Sequence, residues 1–583
     1  MIEKNYTAYL IPTSDYHSSE YISDYFKLRE FFTGFNGSMG TLLVMQNNAY
    51  LWVDGRYFIQ AAKQIDDKII TLMKMGTPNT PTLTEFLANN LNPKDTLAFD
   101  GKLLNTKTVI DIIKSIKNGI NIVNDENIID SLWPERPKLP FSLLFTLDDF
   151  YTGKAYKEKL QQILDKLKEN NAEYYLLASL EDQAWLYNLR ASDVLHTPVF
   201  LAFSLISNNS TILFVDTKKI DINVAKYLEN NEIILKPYNE IYNYIKNLKA
   251  KNILINYDKV NYALYSIIKN TGISIISKDD PTLLLKAIKN ETEIENTKIA
   301  HIKDGLCVFR TMNYIKKNYE NNDLSELGIG NYIENLRKET EGFIDISFDS
   351  ICGFNEHGAM MHYKATPDSS SKIKNNGLVL LDSGGHYFEG TTDITRTFSI
   401  GKINDKMKIH YTTVLKSVIA LSKAIFLKGC TGFNLDALAR EPIWQLLIDY
   451  KCGTGHGVGN ILSVHEGPNN FRWQIRNSNL DSQVLLPGMI TTVEPGIYLE
   501  NKYGIRIENE LLCVEKETNE FGTFLGFETI TYAPIDLDPI KPSLLTKEEK
   551  EWINEYHKMV YEKLRPYLDK TELDALALYT RKI

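Results

Sequence analysis

The chain has 583 residues, 43% of them hydrophobic and 24% charged, which is typical of a soluble globular protein. This length exceeds what one hydrophobic core usually organises, so we expect about two to four domains. The net charge of −9 and the lack of basic blocks argue against a nucleic-acid-binding protein. No apolar run is long enough to cross a membrane, and the first residues do not resemble a signal peptide.

The five cysteines all lie in the second half of the chain. Their number is odd, and they show neither CxxC pairs nor zinc-finger spacing. This usage is typical of proteins in a reducing compartment, where disulfides do not persist. We therefore expect a cytoplasmic protein.

Residues 1–140 are predicted to form an α/β domain. Two strands around an Asn-Asn turn are predicted at residues 41–54, and helices at 55–65, 83–91 and 106–117. Three prolines then fall within residues 133–140. Since proline at this density interrupts both helices and sheets, a domain boundary is predicted there.

Residues 141–285 repeat the α/β alternation. A helix is predicted at residues 156–171, and strands at 172–180, 211–217, 232–238 and 252–257. The similar length and pattern of the two segments indicate a pair of related domains. Their sequence similarity is too weak to define a repeat.

Residues 286–583 are predicted to form a third domain that ends in a helical extension. The predicted helices are one long helix over residues 284–318 and others at 324–339, 407–426, 434–448 and 546–568. Strands are predicted at residues 488–499 and 503–514. Helices followed by strands favour an α+β domain with an antiparallel sheet.

Five side chains of this third region indicate a metal centre: Asp382, Asp393, His456, Glu494 and Glu508. Each acid lies in or beside an apolar, β-branched run, where a solvated carboxylate fits poorly and an unpartnered buried one is costly. Taken singly, these residues are explained by turns, strand edges or a core histidine. Their occurrence together favours metal ligation. Signature residues of zincins, P-loop proteins and α/β-hydrolases are absent from the sequence.

The donor types and their charge indicate two metal ions. Carboxylates with one imidazole suit Mn²⁺, Zn²⁺, Co²⁺ or Fe²⁺ better than a metal that prefers thiolates. Four carboxylates are neutralised by two divalent cations, whereas one cation leaves a surplus of buried negative charge. Paired metals about 3.5–4 Å apart can share a hydroxide, so a dinuclear hydrolytic centre is predicted.

The five residues also resemble the ligand pattern of the pita-bread metallopeptidases, the family of methionine aminopeptidase, prolidase and aminopeptidase P. Asp382 and Asp393 are eleven residues apart, and Glu494 and Glu508 are fourteen apart, as in that family. The remainder of the chain resembles the long, three-domain cytosolic branch of aminopeptidase P. This resemblance implies two creatinase-like α/β domains, a pita-bread catalytic domain, and homodimers formed through the catalytic domain.

The resemblance also implies an activity: hydrolysis of the bond between an N-terminal residue and a following proline by a hydroxide that bridges two metal ions. It implies Mn²⁺, although the ligands also suit Zn²⁺ or Co²⁺. By the same resemblance, Glu494 transfers the proton, His465 binds the developing oxyanion, and His362 holds the carbonyl after proline. Arg506, on the ligand strand, is expected to orient carboxylates.

Two further residues are candidates for the substrate site. Cys452 stands where the family usually has histidine, four residues before His456. Altered substrate contacts are expected there; a thiolate ligand is the alternative, and a small buried apolar side chain is favoured. Arg56 is a candidate for reaching the site from the first domain, with a surface ion pair as the favoured explanation.

Two alternatives to an aminopeptidase stay open. A prolidase, which cleaves only X-Pro dipeptides, would use the same ligands; the two extra N-terminal domains favour the aminopeptidase. A non-catalytic pita-bread module that binds peptides is disfavoured, because such relatives lose ligands and none of the five is missing here.

Overall fold

The computed structural model describes residues 1–126, 128–321, 324–475 and 483–583. The chain divides into two compact units: Met1–Leu147 with Lys154–Leu283, and Asp148–Gly153 with Leu284–Ile583. Among the described residues, no helix is both long and apolar enough to cross a membrane. The boundaries predicted after residues 140 and 285 stay predictions.

Residues 1–132 form a six-stranded sheet with flanking helices. The strands are β1 (Ala8–Pro12), β2 (Thr41–Met45), β3 (Ala49–Val53), β4 (Ile70–Lys74), β5 (Thr96–Phe99) and β6 (Asn121–Asn124). The helices are α1 (Leu28–Thr33), α2 (Phe58–Gln64), α3 (Leu83–Asn90), α4 (Thr106–Ser115) and α5 (Ile128–Leu132). The strand order is β4-β3-β2-β1-β5-β6. The β1–β2 and β2–β3 pairs are antiparallel, and the other three are parallel.

The next stretch of chain contains a second six-stranded sheet. Its strands, with the short pair β7 and β9, are β7 (Phe145–Thr146), β8 (Tyr174–Leu177), β9 (Leu189–Arg190), β10 (Ala202–Ser207), β11 (Thr211–Val215), β12 (Ile233–Lys236), β13 (Asn252–Ile255) and β14 (Ser274–Ser277). The helices are α6 (Asp149–Thr152), α7 (Tyr156–Glu169), α8 (Leu180–Tyr187), α9 (Ile222–Asn230), α10 (Glu240–Asn247), α11 (Tyr262–Thr271) and α12 (Pro281–Ala287). The order β12-β11-β10-β8-β13-β14 repeats the first sheet, with parallel and antiparallel pairs in the same places. The predicted likeness of the two regions is confirmed at the level of topology.

The rest of the chain packs helices against antiparallel sheets. The helices are α13 (Glu291–Asn318), α14 (Glu326–Lys338), α15 (Asp405–Ser422), α16 (Gly432–Trp444), α17 (Lys547–Leu564) and α18 (Lys570–Tyr579). The strands are β15 (Phe343–Ile346), β16 (Ile351–Phe354), β17 (Asn376–Ser383), β18 (Gly385–Tyr387), β19 (Gly390–Thr391), β20 (Ile394–Gly401), β21 (Ile425–Leu427), β22 (Gly455–Gly457), β23 (Glu466–Phe471), β24 (Ile490–Val493), β25 (Gly496–Leu499), β26 (Tyr503–Arg506), β27 (Asn509–Asn519) and β28 (Gly522–Thr529).

Two sheets of this unit position the predicted ligands: β16-β17-β20 and β21-β28-β27-β24-β22-β23. Both are antiparallel throughout, as predicted. A shared hydrophobic core joins them to the helices; Phe309 of α13, Val418 of α15 and Leu511 of β27 are all fully buried in it. The ligands are therefore carried by strands fixed on a rigid core.

Four predicted elements were wrong as continuous segments. The helix over residues 284–318 is interrupted, because Asn290 caps α13: its side chain accepts the Glu293 N–H, and the Glu293 carboxylate accepts the Asn290 N–H. The strands at 488–499 and 503–514 are each split in two, at Glu494 and at Glu508. The helix over 407–426 ends at Ser422, and its last residues join β21 instead.

Candidate metal centre

The five predicted ligands lie at strand ends and strand breaks. Asp382 is the second-last residue of β17, and Asp393 comes directly before β20. His456 is the middle residue of β22, Glu494 follows β24, and Glu508 separates β26 from β27. A carboxylate at the end of a ladder leaves the sheet without breaking hydrogen bonds inside it.

Strand register brings these positions together. Asp382 pairs with Thr395 of β20, which places it beside the strand that follows Asp393. The last residue of β24 pairs with the first residue of β27, so Glu494 and Glu508 flank the same pair. The Glu508 N–H donates to the Thr395 carbonyl at 3.1 Å and thereby connects the two sheets.

Four of the five side chains meet around His456. Its Nε2 atom lies 3.5 Å from Asp393 Oδ2 and 3.5 Å from Glu494 Oε1. One ligand atom each from Asp393, His456 and Glu508 lie within 4.8 Å of one another. The His456 Nδ1 atom is 3.0 Å from the Gly457 carbonyl, which can only accept; Nδ1 therefore carries a proton, and Nε2 is the ring nitrogen that faces the acids.

The fifth side chain, Asp382, joins the group through Arg506. The guanidinium of Arg506 contacts Asp382 Oδ2 at 2.5 Å and donates to the Thr395 hydroxyl at 3.1 Å. The same hydroxyl donates to Glu508 Oε2 at 2.8 Å. Arg506 also donates to the Tyr498 hydroxyl at 2.7 Å. Arg506, which was expected to orient carboxylates, therefore contacts one of the five candidate ligands, Asp382.

The acids carry more negative charge than their surroundings neutralise. Burial, followed by the charges of Asp382 and Glu494, raises the pKa of Asp393 well above its usual range. Burial, followed by the charges of Asp393, Glu494 and Asp382, raises the pKa of Glu508 as well. Asp382 Oδ1 is buried and has no hydrogen-bond partner among the residues that the structure describes. An orphaned carboxylate oxygen, crowded acids and an imidazole nitrogen that faces them together fit bound divalent cations.

A second buried cluster lies directly behind the ligands, and sequence reasoning missed it. We call it the Asp304 cluster: Asp304, Arg337, Ser383, Tyr387 and Thr392. Asp304 accepts two hydrogen bonds from Arg337, at 2.6 and 3.1 Å, and one each from the hydroxyls of Tyr387 and Thr392, both at 2.9 Å. Arg337 also donates to Ser383 at 3.1 Å. Ser383 and Thr392 are the chain neighbours of two predicted ligands.

Arg396 was also missed. It lies on β20, is fully buried, and donates to the backbone carbonyl of Glu508. It also donates to the Thr395 carbonyl at 2.8 Å and to Asn509 Oδ1 at 2.9 Å. Three further hydrogen bonds reach the C-terminal extension: the Pro534 carbonyl at 3.0 Å, the Ala533 carbonyl at 2.9 Å and the Tyr556 hydroxyl of α17 at 2.7 Å. An arginine inside an apolar strand run was the signal in the sequence, since such a group must find partners.

Glu510 supports the site from the other side. Its Oε1 accepts the backbone N–H of Asp393 at 2.9 Å, and its Oε2 lies 3.1 Å from His301 Nε2. Both side chains are fully buried. The carboxylate of Glu510 therefore fixes the main chain of a predicted ligand without facing the ligand group.

The two accessory histidines differ in how the structure presents them. His465 is half-buried directly before β23, and its ring stands perpendicular to that of His456 with the ring centres 4.4 Å apart. His362 lies in the turn after the 3₁₀ helix Asn355–Ala359, and its side chain is exposed. Its role toward substrate stays a prediction.

The remaining two candidates have ordinary environments. Cys452 is half-buried; burial, with a smaller effect of the Glu494 charge, raises the pKa of its thiol to about 12, which favours the neutral form over a thiolate. Its backbone carbonyl accepts from Arg440 at 2.8 Å. Arg56 forms a partly exposed ion pair with Asp54 at 2.7 Å, the explanation favoured from the sequence.

Family models match most of the chain. Models described as creatinase/prolidase N-terminal domain match residues 1–132 and 135–293. Metallopeptidase family M24 matches residues 295–515, and the C-terminal region of peptidase M24 matches residues 523–583.

Two individual proteins match almost the whole of this chain, and a third matches part of it. A probable Xaa-Pro aminopeptidase P of Laccaria bicolor is 37% identical over 582 residues, which cover 97% of this chain and 89% of that protein. The crystal structure of an X-prolyl aminopeptidase from Caenorhabditis elegans, described as a cytosolic enzyme with a di-nuclear active site, has 32% identity and a TM-score of 0.93, covering 99% of this chain and 95% of that one. The Xaa-Pro dipeptidase of Bacillus anthracis has 26% identity and a TM-score of 0.53, covering 66% of this chain and 99% of its own.

Proposed function

The chain belongs to metallopeptidase family M24, and from this premise we propose that it is an aminopeptidase that removes an N-terminal residue preceding proline. It consists of two creatinase-type N-terminal domains followed by a pita-bread catalytic domain, as the sequence resemblance implied. The observation that carries the proposal is the convergence of Asp393, Glu494 and Glu508 on the imidazole of His456.

The proposed metal ligands are Asp382, Asp393, His456, Glu494 and Glu508. Two divalent cations, when bound, would neutralise the carboxylates and lower the pKa of a coordinated water. The pattern of buried acids supports two ions, since one leaves surplus negative charge. We propose Mn²⁺ on the family resemblance; Zn²⁺ and Co²⁺ have the same ligand preferences here.

Glu494 is proposed to accept the proton of the attacking water and deliver it to the leaving nitrogen. Its side chain is 22% exposed, compared with 7% for Asp393 and 10% for Asp382, so it is the carboxylate of these three most open to an entering substrate. A group within hydrogen-bond reach of both water and substrate can serve as acid and base in turn.

His465 and His362 are proposed to bind the peptide. His465, next to the metal-facing ring of His456, would donate to the oxyanion that develops at the scissile carbonyl. His362 would hold the carbonyl after proline. Because the X-Pro amide has no N–H, a site for it must position the peptide through carbonyl groups and side-chain packing.

A peptide series with metal-depleted protein tests the proposal. Arg-Pro-Pro should be cleaved after arginine once Mn²⁺, Zn²⁺ or Co²⁺ is added back singly, and Arg-Ala-Pro should not. Cleavage restricted to the dipeptide Arg-Pro would indicate a prolidase instead. The prolidase hypothesis has less support, because the match to the Bacillus anthracis dipeptidase covers only 66% of this chain. No cleavage with any metal, despite bound metal, would favour the non-catalytic module.

We also propose a homodimer formed through the catalytic unit. Large apolar side chains are exposed around the end of α16: Leu447 is 97% exposed, and the partly exposed rings of Trp444 and Trp473 lie 6.2 Å apart. Patches of this kind mark association surfaces. Leu447→Glu should convert a dimer to a monomer in light scattering. Ile222→Glu, at a 67% exposed position of the other unit, should not.

A cytoplasmic location is proposed as well. The Caenorhabditis elegans structure is described as that of a cytosolic enzyme, and all five cysteines of this chain are free thiols. Fractionation of the source cells, followed by detection of the protein in the soluble fraction, tests this point.

A further inference from the structure

The buried carboxylate of Glu326 gathers four hydrogen-bond donors. Glu326 is the first residue of α14 and is fully buried. Its Oε1 accepts the Phe354 N–H at 2.7 Å and lies 2.9 Å from His357 Nδ1. Its Oε2 accepts the Ser371 N–H at 2.7 Å and the Tyr363 hydroxyl at 2.9 Å. Phe354 is the last residue of β16, and the other three donors come from the connection between β16 and β17.

This connection has little regular structure of its own. After the 3₁₀ helix Asn355–Ala359, no helix or strand occurs until β17 begins at Asn376. His362 lies in this stretch. Without a strand ladder or helix, the path of a chain is set by side-chain contacts and by hydrogen bonds to neighbouring elements. The Glu326 carboxylate is therefore a buried polar anchor for the backbone that carries His362.

Tyr363, the next residue, is anchored at both ends of its side chain. Its hydroxyl contacts Glu326 at 2.9 Å and the Ser369 carbonyl at 3.0 Å. Its ring is buried in a small hydrophobic group that we call the Tyr363 cluster: Phe348, Ile351, Tyr363, Leu380 and Val464. A side chain fixed by packing at the ring and by a hydrogen bond at the tip allows its backbone little movement.

The Tyr363 cluster reaches three chain segments of the proposed site. Val464 directly precedes His465, and Leu380 comes two residues before Asp382. The Tyr363 cluster thus joins the segment that carries His362 to the segment that carries His465. A shift of this ring is therefore expected to move the His362 segment relative to that of His465.

We propose that Tyr363, held by Glu326, is a positioning residue that fixes His362 relative to His465. This inference rests on the proposed peptidase function, in which both histidines bind the same peptide. Tyr363 itself does not touch the substrate; it acts through His362. Positioning matters because a misplacement of about 1 Å of a binding group can cost on the order of 10²-fold in rate.

Tyr363→Phe tests the proposal, because it keeps the ring in the cluster and removes only the hydroxyl. In metal-free protein with labelled histidine, the imidazole signal of His362 should shift. In the metal-loaded protein, kcat/KM for Arg-Pro-Pro should fall about tenfold, the usual size of one lost hydrogen bond to a charged group, with metal content unchanged. In a His362→Ala background, Tyr363→Phe should cause no further loss.

Tyr175→Phe is the matched control. Tyr175 is a fully buried tyrosine of the other unit whose hydroxyl donates to Asp280 at 2.7 Å, so the same kind of bond is lost. It should lower the melting temperature to a similar extent while leaving the His362 signal and kcat/KM unchanged. Glu326→Gln is a second variant, which places an amide N–H₂ against the same donors and should shift the His362 signal further.

An unshifted His362 signal in both Tyr363→Phe and Glu326→Gln would overturn the proposal, as would an equal loss of kcat/KM with and without His362. Failure of the proposed function looks different. In that case the wild-type protein cleaves no X-Pro peptide, while the histidine signals still decide whether Tyr363 positions His362.

Discussion

Two buried carboxylate clusters lie next to each other in the C-terminal unit, and they differ in how their charge is balanced. In the Asp304 cluster, one carboxylate receives two hydrogen bonds from Arg337 and two from hydroxyls. In the proposed metal centre, four carboxylates lie around one arginine, Arg506, and one imidazole, His456. The clusters are adjacent in the chain, since Ser383 follows Asp382 and Thr392 precedes Asp393.

The Asp304 cluster stabilises the backbone near the site, whereas the proposed metal centre leaves carboxylates able to bind cations. The Asp304 cluster fixes the backbone beside two proposed ligands, and the charge of its carboxylate is balanced by Arg337. The proposed metal centre keeps carboxylate oxygens available for cations. In the metal-free protein, burial and the neighbouring acids raise the pKa of Asp393 and of Glu508. Substitutions in the two clusters should therefore affect different properties, stability in one and activity in the other.

Asp393→Asn should have the largest effect, and on activity. Loss of a proposed ligand should lower kcat/KM on the order of 10⁴-fold and reduce metal content measured by mass spectrometry. The metal-free variant should be at least as stable as the metal-free wild type, because one of several crowded like charges is removed. His456→Ala should lose as much activity. Full turnover with both metals retained in either variant would refute the ligand assignment.

Arg337→Met should give the largest effect on stability. It leaves the Asp304 carboxylate buried without its cation, which costs about 3–5 kcal/mol and lowers the urea midpoint of the C-terminal unit. Metal content of the folded fraction should not change. Adding Asp304→Leu should restore only part of the lost stability, since it removes the unpaired buried charge but leaves the hydroxyls of Tyr387 and Thr392 without this acceptor. An unchanged midpoint for the single variant would show that Arg337 contributes no net stability.

His465→Ala should affect turnover with metal binding intact. Loss of one donor to a developing oxyanion lowers kcat about 10²–10³-fold. The variant should keep its full metal content, unlike His456→Ala, although the two rings are only 4.4 Å apart. Metal loss in His465→Ala would instead make His465 a ligand.

His557 is a buried group that carries no charge, unlike the acids of both clusters. We expect it to give the smallest effect, a change in how stability depends on pH. Burial, aided by the Arg396 charge, lowers its pKa to about 3, and its Nε2 accepts the Ile535 N–H at 3.1 Å. The unfolded chain binds a proton near pH 6.5 and the folded chain does not, so stability is full above that pH and is lost as the pH falls toward 3. At pH 5 the loss is about 2 kcal/mol.

Urea titrations between pH 7 and pH 5 measure this loss. The wild type should lose stability over this range, and His557→Gln should show a flatter pH dependence. His362→Gln, a change at an exposed histidine, should keep the wild-type slope. A wild-type slope in His557→Gln would show that other groups cause the acid sensitivity.

The proposed ligands could be picked out from the sequence because the unusual feature, a charged residue in an apolar strand, lies within a few residues of each acid. An acid in a β-branched run is visible in the sequence, and the family spacing of Asp382 to Asp393 supports it. Strand breaks at Glu494 and Glu508 were not predicted, since the apolar pattern continues through both. The break before α13 had a local signal, Asn290 with Glu293 three residues on, which is the pattern of a capping box.

The supporting residues could not be predicted by such signals. Asp304 lies within a helical pattern, and Glu326 starts a helix, where an acid is ordinary. Their partners are distant in the chain: Thr392 is 88 residues from Asp304, and Tyr363 is 37 residues from Glu326. Only the tertiary fold shows that these acids are fully buried.

The hydrogen bonds of Arg396 bear on how far the catalytic unit can be shortened. A chain cut after β28 would retain all five proposed ligands, yet Arg396 would lose Ala533, Pro534 and Tyr556 and keep a desolvated guanidinium with too few acceptors. Its remaining acceptors, the carbonyls of Thr395 and Glu508 and the Asn509 side chain, would then satisfy only part of the guanidinium beside the proposed ligand Glu508. Limited proteolysis that removes the C-terminal tail should therefore inactivate the enzyme although no ligand is excised, and residues 530–556 define a minimum for any autonomous catalytic fragment.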